Sequence, residues 1–394
     1  MKITQLDIEG FRSLRKVSWL PGDLNVIIGP NGSGKSNLLR FMELISISAQ
    51  GRLGKYIQSS GGMDPIVWDG VATSIKFAME TIPEGGELGP EHYELELTRL
   101  GSGSSYKVEK ELLINSHKLR RKVEKKPFKF LERVAKTAVV YDETEHKFTT
   151  PEEFISDEES LLSIASGPFI NNHFIPPFQR GLASIAVYHD LHTNKDASVR
   201  QSAISRMEKR VDPDGQNLMS VMHTLYTGDR DFKNDINSAM QAAFGDDFEE
   251  LVFPPAADQR IQMRIRWKSL KREQSAAELS DGTLRFLFLL TVLASPTPAP
   301  IIAIDEPETG LHPSMLPLIA EYAIDASTRS QVILTTHSPQ FLDAFVGTRP
   351  TTTVAKWEHG ETTLKTLRGE ELDYWLKEYT LGALFKSGEL EQIG

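Results

Sequence analysis

Residues 29–36 have the sequence Gly-Pro-Asn-Gly-Ser-Gly-Lys-Ser, which fits the pattern G-x-x-x-x-G-K-[ST]. An apolar run, Leu24 to Ile28, precedes this stretch and predicts a buried strand. The segment from Asn37 to Ile47 follows it, with apolar residues at helical spacing. A strand, a glycine-rich turn and a helix in this order form a loop whose backbone N–H groups cradle phosphates. We therefore expect an α/β fold built around a phosphate-binding loop.

The side chains of this loop have separate expected roles. The glycines let the backbone turn its N–H groups inward, Lys35 is expected to reach the β- and γ-phosphates, and Ser36 to bind Mg²⁺ through its hydroxyl. The alternative is a glycine turn with an exposed lysine, which the flanking strand and helix disfavour. The predicted nucleotide-binding residues are Asn31, Gly32, Ser33, Gly34, Lys35, Ser36 and Asn37.

A second apolar run, Ile301 to Ile304, ends in two adjacent acids, Asp305 and Glu306. Buried strands rarely end in paired carboxylates unless a cation or a reacting group lies beside them. We expect Asp305 to hold Mg²⁺ and Glu306 to polarise the attacking water. The alternative is an acidic turn at the edge of a sheet.

A third apolar run ends in Thr335-Thr336-His337-Ser338. Histidine at this position can hydrogen-bond a γ-phosphate and help to order the attacking water, whereas a lone histidine is more often structural. Because two other strand ends already indicate one nucleotide, we favour the functional interpretation. The predicted catalytic residues are Lys35, Glu306 and His337.

The run Leu279-Ser280-Asp281-Gly282-Thr283 precedes an apolar helix that begins at Leu284. Serine and glycine at a helix N-terminus form a small anion site, although an ordinary serine cap would have the same sequence. Five runs in this order resemble the SMC/RecF-like group of ABC-type ATPase heads. The chain most resembles stand-alone AAA-family predicted ATPases related to the ATPase half of OLD-family proteins. The runs are FRSL (11–14), GPNGSGKSN (29–37), ELSDGTLRF (278–286), DEPETGLHP (305–313) and THSP (336–339), and residues 379–384 and 387–390 resemble the tail of the group.

This resemblance implies a homodimer in which two copies pack head-to-tail around ATP and Mg²⁺. Ser280 and Gly282 would contact, in trans, the γ-phosphate held by the other copy's Lys35, and residues 309–312 would form the D-loop at the seam. Asp281 replaces the usual glycine of the signature loop, and its carboxylate is unfavourable near a triphosphate unless it points away or pairs with a cation. The usual Q-loop glutamine is not assigned, with Gln58 as one candidate.

The resemblance and the periodicity together predict a P-loop NTPase of ABC type. Two-residue alternation between residues 72 and 149 indicates an antiparallel β lobe, and alternating buried strands and helices after Arg260 indicate a mostly parallel sheet. Helical spacing dominates residues 150–255. We predict an ATPase head split between residues 1–149 and 256–394, with residues 150–255 as a helical insertion.

Composition narrows the classes of function. The net charge of −10 argues against a protein that binds nucleic acid non-specifically over its whole surface. The basic segment Lys118–Lys136 nevertheless offers a local surface for double-stranded DNA. The alternative is that this segment is simply a solvated face. The chain has no cysteine and no secretion-like start. We therefore expect a cytoplasmic protein that is not embedded in a membrane.

Two functions are consistent with the sequence. In one, ATP binding and hydrolysis drive a conformational switch in DNA repair or anti-phage defence. In the other, a regulatory ATPase controls a separately encoded protein partner or effector. A transporter subunit is disfavoured because its signature usually lies nearer the phosphate loop. We expect no intrinsic nuclease activity, because the stretch after His337 is too short for a metal-dependent nuclease domain.

Overall fold

The computed structural model describes residues 1–83, 89–101, 105–115, 127–150, 156–165, 172–345, 347–367 and 380–390. Part of the basic segment, residues 118–126, lies outside these ranges, and so does residue 379 at the start of the tail motif.

The described residues form a mixed α/β protein. Its strands are β1 Lys2–Phe11, β2 Leu14–Trp19, β3 Leu24–Ile28, β4 Ser74–Ile82, β5 Glu91–Arg99, β6 Tyr106–Asn115, β7 Phe128–Val134, β8 Thr137–Asp142, β9 Lys147–Thr149, β10 Ala186–Tyr188, β11 Ala203–Ile204, β12 Phe248–Val252, β13 Pro255–Ala256, β14 Arg260–Ile261, β15 Arg264–Trp267, β16 Gln274–Ser275, β17 Ile301–Ile304, β18 Gln331–Thr336, β19 Thr351–Glu358 and β20 Glu361–Thr366. Its helices are α1 Lys35–Ala49, α2 Leu53–Ser59, α3 Leu161–Ala165, α4 Ile175–Ala183, α5 Leu218–Gly228, α6 Arg230–Phe244, α7 Asp281–Leu293, α8 Leu316–Ser327, α9 Pro339–Asp343 and α10 Leu381–Lys386. Within the described ranges, none of these helices has both the length and the apolar character needed to cross a bilayer.

The first sheet, called here the antiparallel lobe, has the strand order β2-β1-β4-β5-β6-β7-β8-β9, with every neighbouring pair antiparallel. Its strands alternate between buried and more exposed residues, as in β5, because successive side chains point to opposite faces. The alternation predicted between residues 72 and 149 is therefore borne out as an antiparallel lobe.

The second sheet, called the core sheet, has the order β10-β17-β18-β3-β19-β20. Its first five strands run parallel, and β20 returns antiparallel to β19. In the central register, Ile304 pairs with Leu334, which pairs with Val26. The carboxyl ends of β3, β17 and β18 consequently meet along one side of the core sheet, the carboxyl edge. The loops that follow these strands lie together there.

Hydrophobic layers cover both faces of the core sheet. Val26 and Leu334 belong to one buried cluster, which also contains the apolar face of α7. Ile27 and Ile333 belong to the other cluster, which contains α1 and the inner face of the antiparallel lobe. Alternation of this kind within fully buried strands explains why their sequences are continuously apolar. The rigid sandwich fixes the positions of the loops at the carboxyl edge.

The predicted helical insertion contains strands as well as helices. Residues 150–255 were expected to form a helical insertion, and they do contain α3, α4, α5 and α6. However, β10, β11 and β12 also lie in this range. The strand β10 pairs in parallel with β17, with Tyr188 opposite Ile304. The core sheet therefore takes one strand from the predicted insertion, and this strand is too short to show a period in sequence. The division into a split head and an inserted lobe otherwise stays a prediction.

Candidate active site

The phosphate-loop turn requires glycine at two positions. Gly32 and Gly34 have φ angles of +81° and +95°, a left-handed region in which residues with a Cβ are strained. Gly34 is also constrained by packing, because a Cβ there would lie 2.0 Å from the Thr362 hydroxyl. Asn31 and Gly32 are exposed at the tip of the turn, whereas Ser33 is buried. The glycines therefore set a specific backbone path into α1.

Lys35 lies at the start of α1 and is buried. Its ammonium donates hydrogen bonds to the backbone oxygens of Gly29 (2.8 Å) and Pro30 (3.1 Å). Burial lowers the pKa of Lys35, and the fields of Glu306 and Asp305 partly oppose that shift. The structure thus brings the loop lysine close to the acids at the end of β17, although 270 residues of sequence separate Lys35 from Asp305.

Asp305 is the centre of a polar group that connects the end of β17 to α1, to β18 and to the segment after β10. Its carboxylate accepts from the hydroxyls of Ser36 (3.2 Å) and Thr335 (2.5 Å) and lies 3.4 Å from Nδ1 of His189. Burial alone would raise the pKa of Asp305, but hydrogen bonds from His189, Thr335 and Ser36 outweigh it, so the pKa is lowered. The carboxylate is therefore held in its charged form, as a metal ligand must be.

The pair formed by Ser36 and Asp305 fits Mg²⁺. Both side chains offer oxygen, the donor atom that this ion prefers, and Mg²⁺ commonly uses one or two protein ligands with phosphates and water as the rest. Across the described parts of the chain, no three His, Asp or Glu side chains form a group that could hold a metal alone. A site completed by phosphate oxygens is consistent with both observations.

Glu306 follows Asp305 with a strained backbone. Its φ angle is +46°, and a non-glycine residue in this region is uncommon and typical of functional sites. The Thr335 hydroxyl accepts the Glu306 N–H at 3.0 Å and holds this conformation. The Glu306 carboxylate lies 3.1 Å from Nδ1 of His337, which is 44% exposed. The sequence-predicted base and histidine are thus adjacent at the carboxyl edge.

Glu308 fixes the loop that carries His337, a role that the sequence analysis did not assign. Its carboxylate accepts from the Thr336 hydroxyl (2.5 Å) and from the His337 N–H (3.3 Å). Burial raises the pKa of Glu308. Its second oxygen, Oε2, is buried without a hydrogen-bond partner among the described residues. No sequence period identifies such a residue, because its role depends on contact between two separate loops.

His189 is a second residue that sequence reasoning missed. It follows β10, beside Asp305, and its Nε2 lies 3.7 Å from Glu43, which is longer than a hydrogen bond. Burial alone would lower the pKa of His189, but the two carboxylates raise it to about 8. Gln58, the predicted Q-loop candidate, is instead an exposed residue of α2. The sequence signal for His189 was a short apolar run that ends in a polar pair, Ala186-Val187-Tyr188-His189-Asp190.

The loop from residue 279 to 283 caps α7. The Ser280 hydroxyl accepts the Thr283 N–H at 3.1 Å, so the serine is a helix cap as well as a candidate phosphate contact. A Cβ on Gly282 would lie 2.7 Å from the Gly310 oxygen, which places the predicted D-loop directly against this turn. Asp281 pairs with Arg200 at 2.5 Å. Asp281, which replaces the usual glycine of the signature loop, therefore has a cationic partner.

Asn37 connects α1 to the antiparallel lobe. Its side-chain amide donates to the Ser13 hydroxyl at 2.7 Å, and Thr362 donates to the same oxygen at 2.7 Å. Thr362 lies on β20 and is buried. The phosphate loop is therefore braced by residues from both ends of the chain. This placement makes Asn37 a structural brace in addition to a predicted nucleotide contact.

The basic segment Lys118–Lys136 is a solvent-facing surface only in part. Arg133 on β7 has a side chain 3% exposed and pairs with Asp157. It also donates to the backbone oxygens of Ser156 (3.1 Å) and Glu159 (3.0 Å). Arg133 is therefore occupied inside the fold, and DNA contact by the other basic residues of the segment stays a prediction. Residues 118–126 lie outside the described residues.

Comparisons with known proteins agree with this geometry. A family described as "AAA domain, putative AbiEii toxin, Type IV TA system" matches residues 24–343, whereas none of the curated proteins matches. The fold is similar to an Smc head bound to the C-terminal winged-helix domain of ScpA (TM-score 0.58, 14% identity, 95% of this chain and 100% of that chain). It is also similar to an Smc head with an extended coiled coil bound to the C-terminal domain of ScpA, derived from Pyrococcus furiosus (TM-score 0.55, 13% identity, 95% and 98%). These likenesses show an ABC-type head fold.

Proposed function

The chain belongs to this AAA-domain family of nucleotide-binding ATPases, and from that membership we propose that it hydrolyses Mg-ATP between two copies arranged head-to-tail. The observation that carries the proposal is the meeting of Ser36, Asp305 and Thr335 within hydrogen-bond distance. Phosphate loop, acidic strand end and histidine loop belong to distant parts of the sequence. Their convergence at one edge is the arrangement that phosphoryl transfer requires.

In the proposed site, the loop N–H groups and Lys35 bind the phosphates of ATP. Ser36 and Asp305 hold Mg²⁺, which when bound neutralises charge on the phosphate oxygens. The ammonium of Lys35, now on the backbone oxygens of Gly29 and Pro30, exchanges these acceptors for phosphate oxygens. The buried charge of the lysine makes that exchange favourable.

Glu306 accepts a proton from the attacking water as the water oxygen bonds to the γ-phosphorus. The bond from that phosphorus to the bridging oxygen breaks, releasing ADP and phosphate. His337 lies 3.1 Å from Glu306 and donates a hydrogen bond to the transferred group or orients the water. The strained backbone at Glu306 supports this role, because such strain is retained where geometry matters for chemistry.

The second half of each site comes from the partner copy. Ser280 and Gly282 at the N-terminus of α7 offer a hydroxyl and N–H groups to the γ-phosphate held by the partner. Ser280 and Asp281 are exposed, as a contact in trans requires. The D-loop, residues 309–312, packs on this turn through Gly310 and would lie at the same seam.

The test of the proposed chemistry is substitution of the loop lysine. Lys35→Ala should abolish measurable ATP binding by calorimetry and ATP turnover, while Lys55→Ala, an exposed lysine on the neighbouring α2, should leave both unchanged. Retained Mg-ATP binding in Lys35→Ala would contradict the assignment of this loop as the nucleotide site.

The biological use of the ATPase has two candidates. A DNA-linked switch in repair or anti-phage defence rests on the basic segment, in which residues 118–126 are candidates for contact with DNA. Control of a separately encoded protein is favoured by the Smc heads, which are bound to ScpA domains, and by the toxin–antitoxin description of the family. Co-purification of the native protein distinguishes them: a stoichiometric polypeptide supports the second, and nucleic acid lost steeply with salt supports the first.

A further inference from the structure

Two ion pairs of opposite polarity hold the first turns of α7. Asp281 pairs with Arg200 at 2.5 Å, and Arg285, one turn later, pairs with Asp190 at 3.0 Å. Both partners belong to residues 189–200, the clasp segment, which follows β10. Along the chain, both α7 and the clasp segment carry an acid before a base. Because the two segments pair in opposite order, each acid faces a base. Reversing the register would therefore set like charges together.

Arg200 does more than neutralise Asp281. Its side chain is 10% exposed, and its guanidinium donates to the Leu279 oxygen at 2.7 Å and to the oxygens of Ala276 and Ala277 at 3.3 Å. Its Nε donates to the Thr193 oxygen at 2.6 Å. A planar group with five donors can satisfy several acceptors at once, which an ammonium group cannot. Arg200 thus ties the backbone before Ser280 to the clasp segment.

The turn is held from its other side as well. Gly282 lies against the Gly310 oxygen, and the clasp segment begins at His189 beside Asp305. Ser280 and Gly282 are the residues that would contact the partner's nucleotide. The clasp segment therefore connects them to Asp305, the proposed Mg²⁺ ligand of the same copy. A shift of about 1 Å in such a positioned group can cost roughly 100-fold in rate.

We propose that Arg200 is a positioning residue for the composite site, which holds Ser280 and Gly282 where the partner's γ-phosphate will lie. This rests on the proposed function. It also accounts for Asp281, because the carboxylate is tolerated beside a triphosphate only while Arg200 cancels its charge. Removing the arginine would free the turn and expose an unpaired negative charge to the phosphate.

The role in trans has a specific test, in which two impaired variants are mixed. Arg200→Ala should lower kcat by roughly 10- to 100-fold while leaving ADP affinity unchanged, because its own phosphate loop is intact. Glu306→Gln is inactive but binds ATP. In a mixed dimer, one site combines an intact Glu306 from the first chain with an intact Arg200 from the second. The mixture should therefore hydrolyse ATP faster than either variant alone.

Several results would overturn the role. A mixture that forms mixed dimers, detected by two different tags, but stays inactive would show that Arg200 acts within its own site. Wild-type kcat in Arg200→Ala would remove the role altogether. Adding Asp281→Ala to Arg200→Ala should restore part of kcat, which a general folding defect would not allow. The control Arg206→Ala, on a side chain 66% exposed, should behave as wild type.

The proposed function fails differently. If wild-type protein neither turns over ATP nor dimerises with it, the head-to-tail site itself is wrong, and the role of Arg200 falls with it. If the wild type is active and the mixture is not complemented, only the role of Arg200 is overturned.

Discussion

The hydrogen bonding of buried polar side chains differs between Glu111 in the antiparallel lobe and two residues at the carboxyl edge. In the lobe, Glu111 is fully buried and accepts from the Tyr93 hydroxyl (2.9 Å) and from the N–H groups of Leu161 (2.6 Å) and Leu162 (2.9 Å). At the carboxyl edge, Ser33 Oγ and Glu308 Oε2 are buried with no hydrogen-bond partner in the described parts of the chain.

An unpaired buried polar atom costs about 1–3 kcal/mol, so native folds retain few of them. In the lobe, both carboxyl oxygens of Glu111 are hydrogen-bonded, and they fix two strands and the start of α3. At the carboxyl edge, Ser33 Oγ and Glu308 Oε2 lie beside the phosphate loop without a partner among the described residues. The difference indicates that Glu111 serves the stability of the lobe, whereas the unpaired atoms of the carboxyl edge lie where we propose that phosphate binds.

The largest effect on stability should come from the lobe. Glu111→Ala removes the acceptor for three donors, the Tyr93 hydroxyl and the N–H groups of Leu161 and Leu162. The free energy of unfolding should therefore fall by about 3–5 kcal/mol, measured by urea denaturation. Glu109→Ala on the same strand, a partly exposed residue, is the control. A loss below that of the control would contradict complete pairing as the role of Glu111.

The corresponding change at the carboxyl edge should affect rate more than stability. Glu308→Ala removes the acceptor that holds Thr336 and the His337 N–H, so kcat should fall by roughly 10- to 100-fold with little change in ATP affinity. Glu308→Gln keeps one acceptor oxygen and should retain most of kcat. Equal loss in both variants would show that the charge of Glu308, rather than its placement of the histidine loop, matters.

A smaller, pH-dependent effect belongs to the lobe. Glu91 is 5% exposed, and burial raises its pKa to about 7 from 4.5. A raised folded-state pKa contributes stability that is complete below about pH 4.5 and is lost as the pH rises through about 7. From pH 5 to pH 8, wild type should therefore lose about 1–3 kcal/mol relative to Glu91→Gln, measured by urea denaturation. Parallel pH profiles for the two proteins would contradict this burial effect.

Much of the fold follows from local sequence. Continuous apolar runs predicted β3, β17 and β18, and two-residue alternation predicted the lobe, because strand burial fixes both patterns. The strand β10 was missed because three residues cannot display a period. In the site, the loop and the acids belong to compact motifs, whereas His189, Arg200 and Glu308 act through contacts between distant segments. Only the three-dimensional structure supplies those contacts.

The central claim is that Glu306 acts as the base at a nucleotide shared by two copies. The most direct measurement follows the mass of Glu306→Gln by light scattering, together with ATP binding and turnover. We expect tight Mg-ATP binding, a dimer that persists with ATP, and turnover reduced by roughly 100- to 10,000-fold. Turnover near the wild-type rate, or a monomer saturated with ATP, would contradict it.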